Sequence, residues 1–84
     1  MAITVRFPSM LHARAGEQIL LSEPAANLAA LIAALDRRVP GLAAELNDPI
    51  YNVAINDEML LHGASARVLH DGDVVEFVPT IAGG

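Results

Sequence analysis

The apolar residues of this chain change period twice, and that double change restricts its possible folds more than any other feature. Over residues 3–7, Ile3, Val5 and Phe7 alternate with Thr4 and Arg6, the period of a strand that buries one face. Leu28, Leu31, Ile32, Leu35 and Val39 then recur at i, i+3, i+4, i+7 and i+11, a single stripe on a helix. From Tyr51 the period returns to two, through Val53 and Ile55 and again over residues 74–78. Strands on either side of one amphipathic helix predict a sheet with that helix laid across one face.

Punctuating residues place the boundaries. Pro8 ends the first strand, and residues 10–16, small and polar and closing on Gly16, predict a hairpin loop that returns through a strand over residues 17–22. Ile19 and Leu21 then face the same side as Ile3 and Val5. Asn27 stands where a helix N-cap belongs, Arg37 and Arg38 form a solvated pair in the last turn, where cations suit the helix dipole, and Pro40 with Gly41 stops the helix. A second helical turn is expected over residues 42–46, ahead of an Asn47-Asp48-Pro49 loop. Asn56-Asp57 makes a turn into a short strand over residues 59–61, and residues 62–70 carry no clear period. Asp71-Gly72-Asp73 is a tight turn that launches the β-forming run 74–78, which Pro79 ends. The order gives an α+β class: a mixed four- to five-stranded sheet with one main helix packed across one face and the last strand parallel to the first. That is the ubiquitin-like β-grasp arrangement. It divides the chain into a domain over residues 1–79 and a flexible tail over residues 80–84.

With 84 residues the chain forms one domain that buries only roughly 60–65% of its unfolded surface. It has no cysteine, which removes disulfides, thiolate metal sites and every persulfide route through its own side chains. Ten carboxylates against five arginines leave a net charge of −5, which argues against nucleic acid and for a basic protein partner. Lysine is absent, so the chain offers only its N-terminal amine to acylation. No signal peptide and no membrane-spanning run is visible, and the expected location is cytoplasmic. His12, His62 and His70 lack metal-ligand spacing and read as solvated surface residues, so no metal and no cofactor is expected on this chain. Ser9 and Ser65 have no catalytic setting, and Asp71 and Asp73 read as turn residues.

On these residues the chain resembles the ThiS/MoaD family of sulfur carriers. Its last third carries the match: Val53-Ala54-Ile55-Asn56 leads through Asp71-Gly72-Asp73 and Val75-Glu76-Phe77 to Pro79 and a terminal Gly83-Gly84. A Gly-Gly pair alone says little, since Gly at roughly 7% frequency puts two together at about one position in 200. Its weight comes from falling behind a family-like turn and a predicted last strand. Residues 22–49 run in the pattern of the cysteine-biosynthesis branch, through Leu28, Ile32 and Leu35 to Gly41, Leu46 and Asp48-Pro49. Pro8-Ser9 also fits that branch better than the small subunit of molybdopterin synthase.

The resemblance implies a carrier and co-substrate, not an enzyme, with Gly84 as the point of sulfur attachment and Gly83-Gly84 as the tail that enters a partner. A carboxylate has no leaving group, so an adenylating enzyme of the ubiquitin-activating type, holding ATP and magnesium, is implied as activator. The product is a thiocarboxylate on Gly84. In the cysteine branch it attacks an activated serine derivative on a PLP-dependent synthase, and a metalloprotease then releases cysteine. Glycines suit this tail because, without Cβ atoms, their backbone passes a narrow channel. Alternation along the last strand puts Val75 and Phe77 toward the helix and Val74, Glu76 and Val78 on the other face. Val78 and Ile81 would dock on the activating enzyme. Three other readings stay open: the small subunit of molybdopterin synthase, a ubiquitin-like protein modifier, and an interaction module with an inert tail.

Overall fold

In the computed structural model, which describes residues 2–60 and 66–80, the secondary structure follows the changes of period. Strand β1 (Ile3–Arg6) leads through a 3₁₀ turn (Ser9–Leu11) and a short helix α1 (His12–Ala15) to β2 (Gln18–Leu21). The main helix α2 (Leu28–Arg38) is followed by α3 (Leu42–Leu46), then β3 (Tyr51–Ile55), β4 (Glu58–Leu60) and β5 (Val74–Pro79). The five strands form one mixed sheet in the order β2-β1-β5-β3-β4. β1 and β5, the first and last strands, run parallel at its centre. The β-grasp expectation holds, with five strands.

Register decides which side chains meet the helix. Ile3 lies opposite Leu21 and Val5 opposite Ile19, so the apolar residues of β1 and β2 share a face. Val53 pairs with Phe77 and Ile55 with Val75, which extends the same face across the sheet. α2 lays Leu28, Leu31, Ala34 and Leu35 into it, all buried, and Leu42 and Leu46 of α3 close one end. The rings of Phe7 and Phe77 stack with centroids 6.1 Å apart.

The ends of α2 match their residues. The Asn27 side chain accepts a hydrogen bond from the Ala30 amide at 2.9 Å, satisfying a donor of the first turn. At the other end Gly41 adopts φ +93°, which only glycine takes easily, and Asp36 Oδ1 accepts from the amides of Gly41 and Ala43, each at 3.0 Å. One carboxylate thereby ties the start of α3 to the end of α2. Arg37 and Arg38 are exposed but not free of partners: Arg37 reaches Glu23 at 3.4 Å and Arg38 donates to the Leu20 carbonyl at 3.4 Å.

Several boundaries differ from expectation. Residues 10–15 are helical, not a plain hairpin loop. Leu11 is buried, its amide donates to the Pro8 carbonyl at 2.9 Å, and Gly16 (φ +82°) closes α1 by donating to the His12 carbonyl at 2.9 Å. A turn this short has too few residues to show a period, so its helicity was hidden. β1 stops at Arg6 although Phe7 is buried and still donates to the Glu17 carbonyl. β2 is trimmed to Gln18–Leu21, and the short strand begins at Glu58, with Leu61 outside the described residues. Residues 67–69 cross the start of α2, with Asn27 bridged to Val68 and Leu69 buried as a core residue that periodicity did not reveal. Among the described residues no helix is long and apolar enough to cross a membrane.

Candidate functional site

The candidate site is the C-terminal end of β5 and the sheet face that α2 leaves uncovered. The turn before β5 sets its direction. Gly72 adopts φ +89° and donates to the Ala2 carbonyl at 2.7 Å, while Asp71 Oδ1 accepts from the Ala2 amide at 2.6 Å. The Asp73 carboxylate accepts from the His70 amide at 2.8 Å and the Asn56 side-chain amide at 2.9 Å. Asn56, in the left-handed region at φ 51°, also exchanges two bonds with Val74, its Oδ1 accepting at 2.9 Å and its amide donating at 2.8 Å. The chain thus starts β5 from a braced corner. The His70 amide, and after it the Asn56 side chain, hold the Asp73 carboxyl below the usual aspartate range. Asp71 and Asp73 are turn residues, as expected, and a carboxylate held ionised in this way is poorly suited to proton transfer near neutral pH.

Along β5 the alternation falls as expected. Val75 and Phe77 are 0% and 3% exposed against the helix side, whereas Val74, Glu76 and Val78 are half-buried on the open face. Val78 sits opposite Asn52 of β3. The register also aligns Leu20, Thr4 and Val74 in one row of this face, and Met59, Ala54 and Glu76 in another. Leu20 and Met59 are 62% and 45% exposed, an apolar margin that the sequence reading missed because it required the register across the sheet.

Pro79 is the last residue of β5, not the first one beyond it. Even-numbered residues of β5 hydrogen-bond toward β3, as the Val74–Asn56 exchange shows, and odd-numbered ones toward β1, as the Thr4 amide does to the Asp73 carbonyl. Position 79 is odd, and its bonding side points past the end of β1 at Arg6. A proline there forfeits no ladder bond. Thr80 resumes the even phase: its amide donates to the Ile50 carbonyl, and its hydroxyl donates to the Pro49 carbonyl at 3.3 Å. Residues 48–51 are themselves braced, since Asp48 Oδ1 accepts from the Ile50 amide at 3.0 Å and the Asp48 carbonyl from the Tyr51 amide at 3.1 Å. Thr80 is therefore tied down, contrary to the expectation that the tail begins at residue 80. Ile81, Gly83 and Gly84, expected as docking and tail residues, lie outside the described residues.

No group of three potential metal ligands occurs among the described residues. His12 is half-buried with Nε2 2.9 Å from the Phe7 carbonyl, a structural role in place of the solvated one expected, and His70 Nδ1 stands 3.9 Å from Asp73 Oδ2. His62 and Ser65 lie outside the described residues, and Ser9 sits in the 3₁₀ turn. A groove beside the tail root is lined by Leu28, Ile32, Leu46, Pro49, Tyr51 and Phe77. Burial first, then the charges of Glu45 and Asp48, push the Tyr51 phenol above its ordinary value, so it stays protonated near neutral pH.

Comparison with known proteins bears on this frame. The ThiS family matches residues 5–84. The sulfur carrier protein CysO of Mycobacterium tuberculosis is 32% identical in a 93-residue alignment that covers 100% of both chains. The crystal structure of M. tuberculosis CysO superposes with a TM-score of 0.79 at 30% identity, over 94% of this chain and 99% of the other. A chain of the Amycolatopsis orientalis BexX/CysO complex gives a TM-score of 0.81 at 28% identity, over 99% and 100%.

Proposed function

This chain belongs to the ThiS family, and from that membership we propose that it carries sulfur on the carboxylate of Gly84. One observation carries the reading: the family match runs through residue 84, so the Gly83-Gly84 pair falls inside it, behind a strand whose root is fixed at Thr80. The protein is a sulfur carrier of the CysO kind. In this reading it is a co-substrate, and the chemistry is supplied by partners.

The Gly84 carboxylate is charged and lacks a leaving group, so it must be activated. An oxygen of that carboxylate attacks the α-phosphorus of ATP on an adenylating enzyme, pyrophosphate leaves, and an acyl-adenylate forms. Sulfide then attacks the acyl carbon and AMP leaves, giving the thiocarboxylate. ATP and magnesium belong to the activating enzyme, and this chain supplies the acyl group and a surface. That surface is the open sheet face around Val78, with Ile81 as a further docking residue. The thiocarboxylate is consumed by a PLP-dependent synthase that couples it to an activated serine derivative, and a metalloprotease releases the cysteine. The carrier domain extends through Thr80, residues 81–84 serve as its working tail, and the reading assigns it to the cytoplasm.

The test is a mass measurement. With an adenylating enzyme, magnesium-ATP and sulfide, the intact protein should gain the mass difference of one oxygen-to-sulfur exchange, located at Gly84 by fragmentation. An unchanged mass with an enzyme that converts another carrier of this family in the same buffer would reject the reading.

A further inference from the structure

We propose that Thr80 is a positioning residue: with the loop Asp48-Pro49-Ile50 it forms a bracket that fixes where the tail leaves the sheet and how far Gly84 can reach. The inference rests on the sulfur-carrier reading and adds to it a structural determinant of activation.

Pro79 has no amide hydrogen, and its bonding side faces past the end of β1. Nothing at position 79 can therefore fasten the strand. The last described hold on the chain is Thr80, through its amide to the Ile50 carbonyl and its hydroxyl to the Pro49 carbonyl at 3.3 Å. The acceptor loop does not drift, because Asp48 clamps it through the Ile50 and Tyr51 amides at 3.0 and 3.1 Å. With the bracket closed, residues 81–84 follow the anchor, and four extended residues span at most about 13–14 Å. With the bracket open, the nearest hold falls back to Val78 opposite Asn52, and six residues, 79–84, lie beyond it. The probability of presenting the carboxylate at one point falls roughly as the −3/2 power of that length, about twofold from length alone, and loss of a fixed exit direction adds to it.

Because the open face and its docking residues are untouched, the effect belongs in turnover and not in encounter. The experiment measures ATP–pyrophosphate exchange by the adenylating enzyme as a function of carrier concentration. Thr80→Pro, which removes both donors, should lower kcat about two- to tenfold with KM for the carrier within about twofold of wild type. Thr80→Val, which keeps the amide, should lose less, and Thr80→Ser should restore the wild-type value. Asp48→Ala, which removes the side-chain hold on the Ile50 amide and leaves the tail unaltered, should reproduce part of the loss. That variant separates a bracket from a direct contact between Thr80 and the enzyme. Amide spectra of Val53 and Ile55 verify that the sheet is intact in each variant. Wild-type kcat in both Thr80→Pro and Asp48→Ala, or a rise confined to KM, overturns the bracket while leaving the carrier reading in place. No exchange with the wild-type protein itself overturns both.

Discussion

The two faces of β5 are built from neighbouring residues of one strand, yet they answer to different demands. Val75 and Phe77 are 0% and 3% exposed among the side chains of α2, β1 and β3, while Val74, Glu76 and Val78 remain half-buried on the uncovered side. The covered face is fixed by packing: its residues must be apolar, of the right volume, and in one register. The open face and the end of the strand are released from that demand and are free to serve a partner. Substitutions on the covered face should therefore cost stability first and activity only through folding. Those at the tail should cost activity and leave the fold alone.

The largest effect that could break this separation is expected at the centre of the helix stripe. Leu31 is 0% exposed, and Leu31→Ala should destabilise by about 2–5 kcal/mol, a large part of the stability of so small a domain. Chemical denaturation reads it directly, and an unchanged midpoint would mean the stripe is not core.

Asp73 is next. Its folded carboxyl titrates below the ordinary aspartate range, so the folded state binds fewer protons than the unfolded one as the group titrates. Its contribution is present above the unfolded value, about 3.9, and disappears as pH falls through the folded value. Asp73→Asn should cost about 1.5–3 kcal/mol at neutral pH, the scale of hydrogen bonds to a charged acceptor, and should flatten the loss of stability below about pH 4. Stability measured from pH 7 down to 2 decides it; parallel curves for the two proteins would remove Asp73 from the account. Smaller again is Asn27→Ala, which deletes the cap on the Ala30 amide and should cost about 1 kcal/mol by thermal melting.

How far the sequence foretold this structure depended on the length of each signal. α2 was legible because five apolar positions and a capping Asn agree, and β5 because a Gly-containing turn precedes a β-branched run. α1 was not legible: it has four residues, no side-chain cap, and is held by the Phe7 carbonyl contact with His12 and the burial of Leu11. The proposed attachment of sulfur at Gly84 rests on the Gly83-Gly84 pair, which is read from the sequence without any coordinates. The bracket at Thr80 could not be read in that way, because the cost of Pro79 depends on which neighbour its missing donor would face, and that is a property of the sheet register.

The smallest expected effect on the fold is also the most direct test of the central claim. Phe77 is the last buried apolar residue among those described, and deleting Gly84 takes away a residue with no side chain to pack. The shortened protein should melt within about 4 °C of the full chain, which corresponds to less than about 1 kcal/mol for a domain of this size. With the adenylating enzyme, magnesium-ATP and sulfide, mass spectrometry should find the oxygen-to-sulfur exchange in the full chain and none in the shortened one. Exchange at an equal rate in both proteins would contradict the claim that the Gly84 carboxylate is the group that carries sulfur.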